Sequence, residues 1–261
     1  MSKLFAKKSL GQNFLIQPQI VIDIVKASCA KEGETVVEIG PGTGLLTKQL
    51  LETGARVIAV EKDTRLIGVL SEKFASYIES GSFTLIEGDI LETTLTLKEE
   101  YRVIANIPYY ITGKIIRTFL EREHPPTSMT IMVQKEVAQR IIARDQKESL
   151  LSVSVKAYGT PEYVRTVKAG NFAPIPKVDS AVLHIKDISH ANFKNTSASH
   201  FFEILHAGFG SKRKKLFKNL KPFNVDNRVA VAFEDCSIEK GLRAEDLSVS
   251  DWVCLANKLH N

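Results

Sequence analysis

The sequence predicts an α/β fold: a parallel sheet with helices on both faces, followed by a small all-helical C-terminal domain. Three observations carry this. Short apolar runs alternate with amphipathic helical patterns through residues 17–185, and continuous rather than alternating apolar strands belong to a parallel sheet buried on both faces. The first four runs end at Gly40, Glu61, Asp89 and Asn106, and ligands bind along that carboxyl edge of open α/β sheets. Beyond residue 200 only helical spacing of apolar residues remains.

The elements follow in order. Ile20, Val21, Ile24, Val25 and Ala27 mark an amphipathic helix over 17–30. Residues 35–39 form the first strand, a glycine-rich turn follows at 40–44, and 45–51 is helical. Residues 55–60 form the second strand, ending at Glu61, and Asp63 is suited to cap a helix running to about Ile78. Strands at 83–87 and 103–105 end at Gly88-Asp89 and Asn106. Further strands are expected at 130–133, 163–168 and 178–185, with helices near 135–143 and 149–158. The Ser/Asn-rich stretch 187–199 reads as a linker, and helices are expected at 201–209, 212–220, 225–233 and 249–259. The expected organisation is a basic arm at 1–15, a sheet domain at 16–187 and a helical domain at 200–261.

Composition narrows the function classes. The chain has 261 residues, 44% hydrophobic and 25% charged, enough to build a core without disulfides. Cys29, Cys236 and Cys254 are odd in number and far apart, and the six histidines show no ligand spacing. No metal is expected, and a reducing, cytoplasmic compartment fits. No apolar run approaches the ~20 residues of a membrane span, and the start is too polar for a signal peptide. Net charge is +5, and residues 211–221 hold six basic residues and no acidic one, whereas 222–261 hold four basic and seven acidic. The positive charge is therefore local. Lys212, Arg213, Lys214 and Lys215 are candidates for binding a polyanion, against the plainer reading of a solvated helix face.

Gly40, Gly42 and Gly44 fall in five residues between a strand and a helix, so the backbone can approach a ligand closely. The third slot of a Gly-x-Gly-x-x-Gly dinucleotide fingerprint is Leu45, and no Walker Lys-Ser/Thr closes the loop. The spacing disfavours a nicotinamide-dependent dehydrogenase. Glu61, 21 residues past Gly40, can accept both ribose hydroxyls. Asp89 can receive an adenine amino group, and Ile90 is placed with it at the cofactor site. Singly, Glu61 and Asp89 are as easily a helix cap or a surface charge. With the glycine turn they suit a nucleoside carrying a sulfonium, S-adenosyl-L-methionine.

Asn106-Ile107-Pro108-Tyr109 combines an amide, a rigid turn and an aromatic ring at a strand end. The Asn106 side-chain oxygen can accept from an exocyclic amine. Pro108 drives Ile107 into an extended conformation that turns its carbonyl outward as a second acceptor. Tyr109 can stack on a flat base.

Six ordered strings then carry a resemblance over nearly the whole chain: residues 8–15 (Lys-Ser-Leu-Gly-Gln-Asn-Phe-Leu), 37–44 (Val-Glu-Ile-Gly-Pro-Gly-Thr-Gly), Glu61-Lys62-Asp63, Gly88-Asp89, Asn106–Tyr109 and 172–182 (Phe-Ala-Pro-Ile-Pro-Lys-Val-Asp-Ser-Ala-Val). The chain resembles the ribosomal RNA adenine N6,N6-dimethyltransferases. The resemblance implies a Rossmann-like methyltransferase sheet, S-adenosylmethionine as methyl donor, and ribosomal RNA or the assembling small subunit as partner. Residues 207–216, Asn219-Leu220 and 242–248 resemble the branch that dimethylates two adjacent adenosines near the 3′ end of small-subunit RNA. The alternatives are the branch acting on large-subunit RNA and an RNA-binding assembly factor without catalysis. Residues 211–214 (Ser-Lys-Arg-Lys) stand where many relatives carry consecutive arginines, which keeps charge but weakens bidentate phosphate contacts. The resemblance also implies that Asn13 and Leu15 help close over the cofactor, where the residues alone read as a loose arm. Phe172 either covers the second face of the target base or packs against Pro174 and Pro176. A monomer is expected.

Overall fold

The computed structural model describes residues 6–7, 10–97 and 99–259. The chain divides into two compact units: Met1–Ala138 with Glu162–Ile188, and Gln139–Pro161 with Ser189–Asn261.

The first unit is built on a seven-stranded sheet. Strand β1 (Phe14–Leu15) precedes helix α1 (Pro18–Ser28). There follow β2 (Thr35–Ile39), α2 (Leu45–Leu51), β3 (Arg56–Glu61), α3 (Thr64–Lys73), α4 (Ala75–Glu79), β4 (Phe83–Glu87), β5 (Tyr101–Asn106), α5 (Thr112–Leu120), β6 (Ser128–Gln134) and α6 (Lys135–Ile141). Three strands complete it: β7 (Thr160–Val167), β8 (Phe172–Ala173) and β9 (Ser180–Lys186). The sheet order is β4-β3-β2-β5-β6-β9-β7. Strands β2 to β6 pair in parallel, and β9 runs antiparallel to β6. Val36, Val37, Val103, Ile104, Met129 and Ile131 are fully buried, as strands covered on both faces require. Helix α1 buries Ile20, Val21 and Ile24, and α5 buries Ile115, Ile116, Phe119 and Leu120.

The helix expected from Asp63 to Ile78 is broken at Phe74, whose φ of −116° and ψ of 23° leave the helical region. The break turns the ring into the core, edge-on to Phe83 at 5.4 Å. The same ring explains Gly44: with φ at +76°, a Cβ there would sit 2.6 Å from Phe74. Apolar spacing alone does not reveal such a break, since both halves keep one apolar face.

The arm is not loose. Strand β1 pairs antiparallel with β8, Leu15 opposite Phe172. Residues 1–5, 8 and 9 of the expected arm lie outside the described residues.

The second unit contains α7 (Leu150–Lys156), α8 (Ala198–Phe209), α9 (Leu216–Asn219), α10 (Arg228–Asp235) and α11 (Val249–Lys258). Its core gathers Val153, Phe201, Leu205, Phe233 and Trp252. Ser197 and Ser248 cap their helices with side-chain oxygens, and Ser149 forms a reciprocal capping box with Ser152. Three expectations change here. Residues 139–161, expected in a sheet domain spanning 16–187, group with the C-terminal helices because α7 packs against α8. The polar stretch 187–199 is packed, not a free linker: Phe193 meets Tyr158 at 5.0 Å and Phe201 at 5.5 Å. The helix expected at 212–220 is a turn followed by the four residues of α9, because Asn219 donates to the Gly208 and Ser211 carbonyls and folds the chain back.

Cys236 and Cys254 form a disulfide, and Cys29 is free and exposed. This overturns the expectation of a chain without disulfides. Core size says only that a cross-link is not required; the packing of α10 on α11 brings the two sulfurs together. The cysteine pattern therefore no longer supports a reducing compartment. Among the described residues no helix is long and apolar enough to cross a membrane, and no group of three or more His, Cys, Asp or Glu could hold a metal ion.

Candidate active site

One pocket opens at the carboxyl edge of β2, β3 and β5. It is lined by every cofactor candidate, namely Asn13, Leu15, Gly40, Gly42, Glu61, Asp89, Ile90 and Asn106, and by Ile107, Pro108 and Tyr109. Phe172 is not among its lining residues. Its side chain is 1% exposed, packed with Leu15, Val167 and Val182 in the core. The structure matches neither expected placement of Phe172: the ring does not line the pocket, and it is buried beside Leu15, Val167 and Val182 rather than clustered with Pro174 and Pro176.

The glycine turn follows β2 directly. Gly40 and Gly42 have φ of +65° and +59°, a region that L side chains rarely adopt. A Cβ on Gly42 would also sit 3.1 Å from the Phe14 ring, so the turn needs glycine both for its backbone and for closure of the arm above it.

Glu61 ends β3 at 5% exposure. Its two oxygens accept from Gly42 N at 3.0 Å and Asp63 N at 2.8 Å. Burial holds its pKa above the ordinary carboxylate value, and these two amides offset part of the shift. Lone pairs on both oxygens remain for ribose hydroxyls. Asp89 accepts from Leu91 N at 3.0 Å and pairs with Lys62 Nζ at 2.7 Å. Lys62 lowers the Asp89 pKa, so this carboxylate is charged and acceptor-only at neutral pH.

The arm is tied to the site at three places. Gln12 Nε2 donates to Asp63 Oδ2 at 2.9 Å, and Lys7 Nζ lies 3.7 Å from Asp63 Oδ1. Asn106 Nδ2 donates to the Asn13 carbonyl at 3.1 Å. Asp63, 1% exposed and also bonded by Arg65, is held well below the ordinary carboxylate range, chiefly by the Arg65 guanidinium. It thus caps α3, braces Glu61 through its amide and anchors the arm through its carboxylate.

With its nitrogen committed to Asn13, the Asn106 amide presents Oδ1 as the end that accepts. Ile107 is buried, and Pro108 has φ −58° and ψ 133°, opening a short 3-10 turn at Tyr109–Ile111. The Tyr109 hydroxyl is 2.5 Å from Ser180 Oγ on β9. Burial raises its pKa, so the ring is neutral and its edge is held.

Sequence reasoning missed Glu38. It is 1% exposed, lines the pocket, and neither oxygen has a hydrogen-bond partner. Burial pushes its pKa up to about 8, the Glu61 charge adds to this, and Thr47 offsets part of it without closing a hydrogen bond. The signal was present: one carboxylate inside the apolar run 35–39, two residues before the glycine turn.

Comparison with known proteins decides the family. Residues 4–261 match the family described as "Ribosomal RNA adenine dimethylase". The chain belongs to the ribosomal RNA adenine dimethylase family. It is thus an S-adenosylmethionine-dependent methyltransferase acting at adenine N6 of ribosomal RNA. A Dehalococcoides mccartyi protein called "Ribosomal RNA small subunit methyltransferase A" is 41% identical over 260 residues, 97% of this chain and 88% of that protein. A dimethyladenosine transferase from Plasmodium falciparum has a TM-score of 0.81 at 26% identity, covering 93% of this chain and 95% of its own. The 23S rRNA methyltransferase ErmE shares the fold, with a TM-score of 0.77 at 24% identity, over 95% of this chain and 99% of that one. The chemistry of the pocket lining fits the methyl donor: Gly40 and Gly42 leave backbone open, Glu61 and Asp89 offer carboxylates, and Glu38 adds a buried carboxyl group without a hydrogen-bond partner.

Proposed function

We propose that this dimethylase methylates two adjacent adenosines near the 3′ end of small-subunit ribosomal RNA, dimethylating each during subunit assembly. The observation that carries the chemistry is that Asn106–Tyr109 and the cofactor candidates Gly40, Gly42, Glu61 and Asp89 line one pocket. The choice of small-subunit RNA rests on the name of the 41%-identical relative.

S-adenosylmethionine supplies the electrophilic methyl group. The protein's part is to make adenine N6 a nucleophile, since its lone pair is delocalised into the ring. Asn106 Oδ1 and the Ile107 carbonyl accept the two amine hydrogens and localise that lone pair on the face turned to the cofactor pocket. Tyr109, held through Ser180, stacks on the flipped base. The methylated amine carries a positive charge, is acidic, and releases its proton to water, so no histidine or carboxylate base is required. The rate gain comes from positioning and fixed dipoles. The second methylation requires the mono-methylated amine to rotate so that its one remaining hydrogen meets an acceptor and its lone pair again faces the cofactor pocket.

The test is Asn106→Ala. Loss of one fixed acceptor is expected to lower methyl transfer about a hundredfold or more, while S-adenosylhomocysteine still raises the melting temperature. Near-full turnover would remove Asn106 from this role. Assaying small-subunit precursors beside naked large-subunit RNA, with the methylated positions mapped, tests the substrate. Transfer to large-subunit RNA alone would replace this reading with the other branch of the family.

A further inference from the structure

The two tyrosines that follow Pro108 are used differently. Tyr109 is half-buried and bonded to Ser180. Tyr110, next to it in the same 3-10 turn, lines the pocket mouth and is 64% exposed. A tyrosine ring left this open offers an apolar π-face for a flat ligand while its hydroxyl stays in water.

Nor is the ring left to swing freely. Gly11 of the arm, at φ +60°, lies so close that a Cβ there would be 3.0 Å from Tyr110 Cε1 and 3.1 Å from Cδ1. A Cβ at the same place would be 3.5 Å from Pro108 Cβ, so Gly11 abuts both residues. One edge of the ring is therefore braced by the arm while the rest faces outward.

Resting on the function proposed above, we infer that Tyr110 is a stacking platform for the nucleotide adjacent to the flipped adenine. A base drawn into the pocket leaves its neighbour unstacked at the mouth, where the braced ring replaces the lost stacking. With two adjacent target adenosines, the neighbour at one register is the target at the next. Tyr110 thus holds one adenosine while the other is methylated, and binds by its π-face without reading base identity.

The test uses the full-length enzyme and a small-subunit RNA substrate carrying 2-aminopurine beside one target adenosine. Tyr110→Ala is expected to raise KM about tenfold, within the range for removing one base–aromatic stack, with kcat nearly unchanged. It should also abolish the fluorescence quenching that stacking on the ring produces. Tyr110→Phe should restore both, because the face and not the hydroxyl is used. Tyr110→Leu, similar in bulk but not planar, should behave as the alanine variant and guards against simple cavity effects. The S-adenosylhomocysteine-induced melting shift reports folding and cofactor binding independently. Unchanged KM and quenching in Tyr110→Ala overturn this inference alone. A wild-type enzyme that does not methylate the small-subunit substrate overturns the function on which it rests.

Discussion

At the scale of single residues, the site combines carboxylates held in opposite states by their surroundings. Asp63 and Asp89 face cations and stay charged, while Glu38 is enclosed without a partner. That enclosure has a measurable consequence. Unfolded, Glu38 ionises near 4.5; folded, its pKa is about 8. Between these values the folded chain binds a proton that the unfolded chain has released, so stability falls as pH rises through that window. Glu61, also raised, adds slope of the same sign. Asp63 and Glu34 are lowered, and their contribution changes only near and below their ordinary values. His184, lowered by burial, adds an opposite slope below 6.5 in wild type and variant alike. Glu38→Gln should therefore flatten the fall in melting temperature between pH 4.5 and 8, with a gain of at least about 2 °C at pH 8. An identical pH slope in the variant would show that Glu38 does not carry this proton.

At the scale of elements, two short connections do work that their length does not suggest. The two-residue pair of β1 with β8, with Gln12 on Asp63 and Asn13 on Asn106, converts an N-terminal arm into one wall of the cofactor pocket. In the helical unit, the disulfide ties the end of α10 to α11 across 18 residues of sequence. Closing a loop of that size restricts the unfolded chain by up to about 3 kcal/mol. The double variant Cys236→Ala/Cys254→Ala should unfold at a correspondingly lower denaturant midpoint. Reductant should shift the wild type likewise and leave the variant unmoved. A midpoint insensitive to both treatments would mean that the cross-link adds nothing to the stability of these helices.

At the scale of the whole molecule, positive charge is concentrated in one exposed stretch. Lys212, Arg213, Lys214 and Lys215 are all exposed and sit in the turn that Asn219 pins between α8 and α9. Neutralising all four should weaken RNA binding and reduce the slope of log affinity against log salt by up to about 3.6, given roughly 0.7–0.9 per phosphate contact. An unchanged slope would place the RNA elsewhere. Much of this protein was legible in the residues alone. Apolar runs ending at Gly40, Glu61, Asp89 and Asn106 located the sheet, its carboxyl edge and the pocket there, because a strand buried on both faces carries most of its polar chemistry at its ends, with Glu38 the exception inside β2. The cofactor followed from side-chain hydrogen-bonding capacity, a local property, and the same property makes Asn106–Tyr109 the candidate for holding a base. What tertiary structure decided is non-local: that Phe172 turns inward against Leu15, that residues 139–161 join the C-terminal helices, that Cys236 meets Cys254, and that the arm closes on Asp63 and Asn106. Each depends on which surfaces meet across long stretches of chain, and a one-dimensional pattern of apolar and polar residues does not encode that choice of partner.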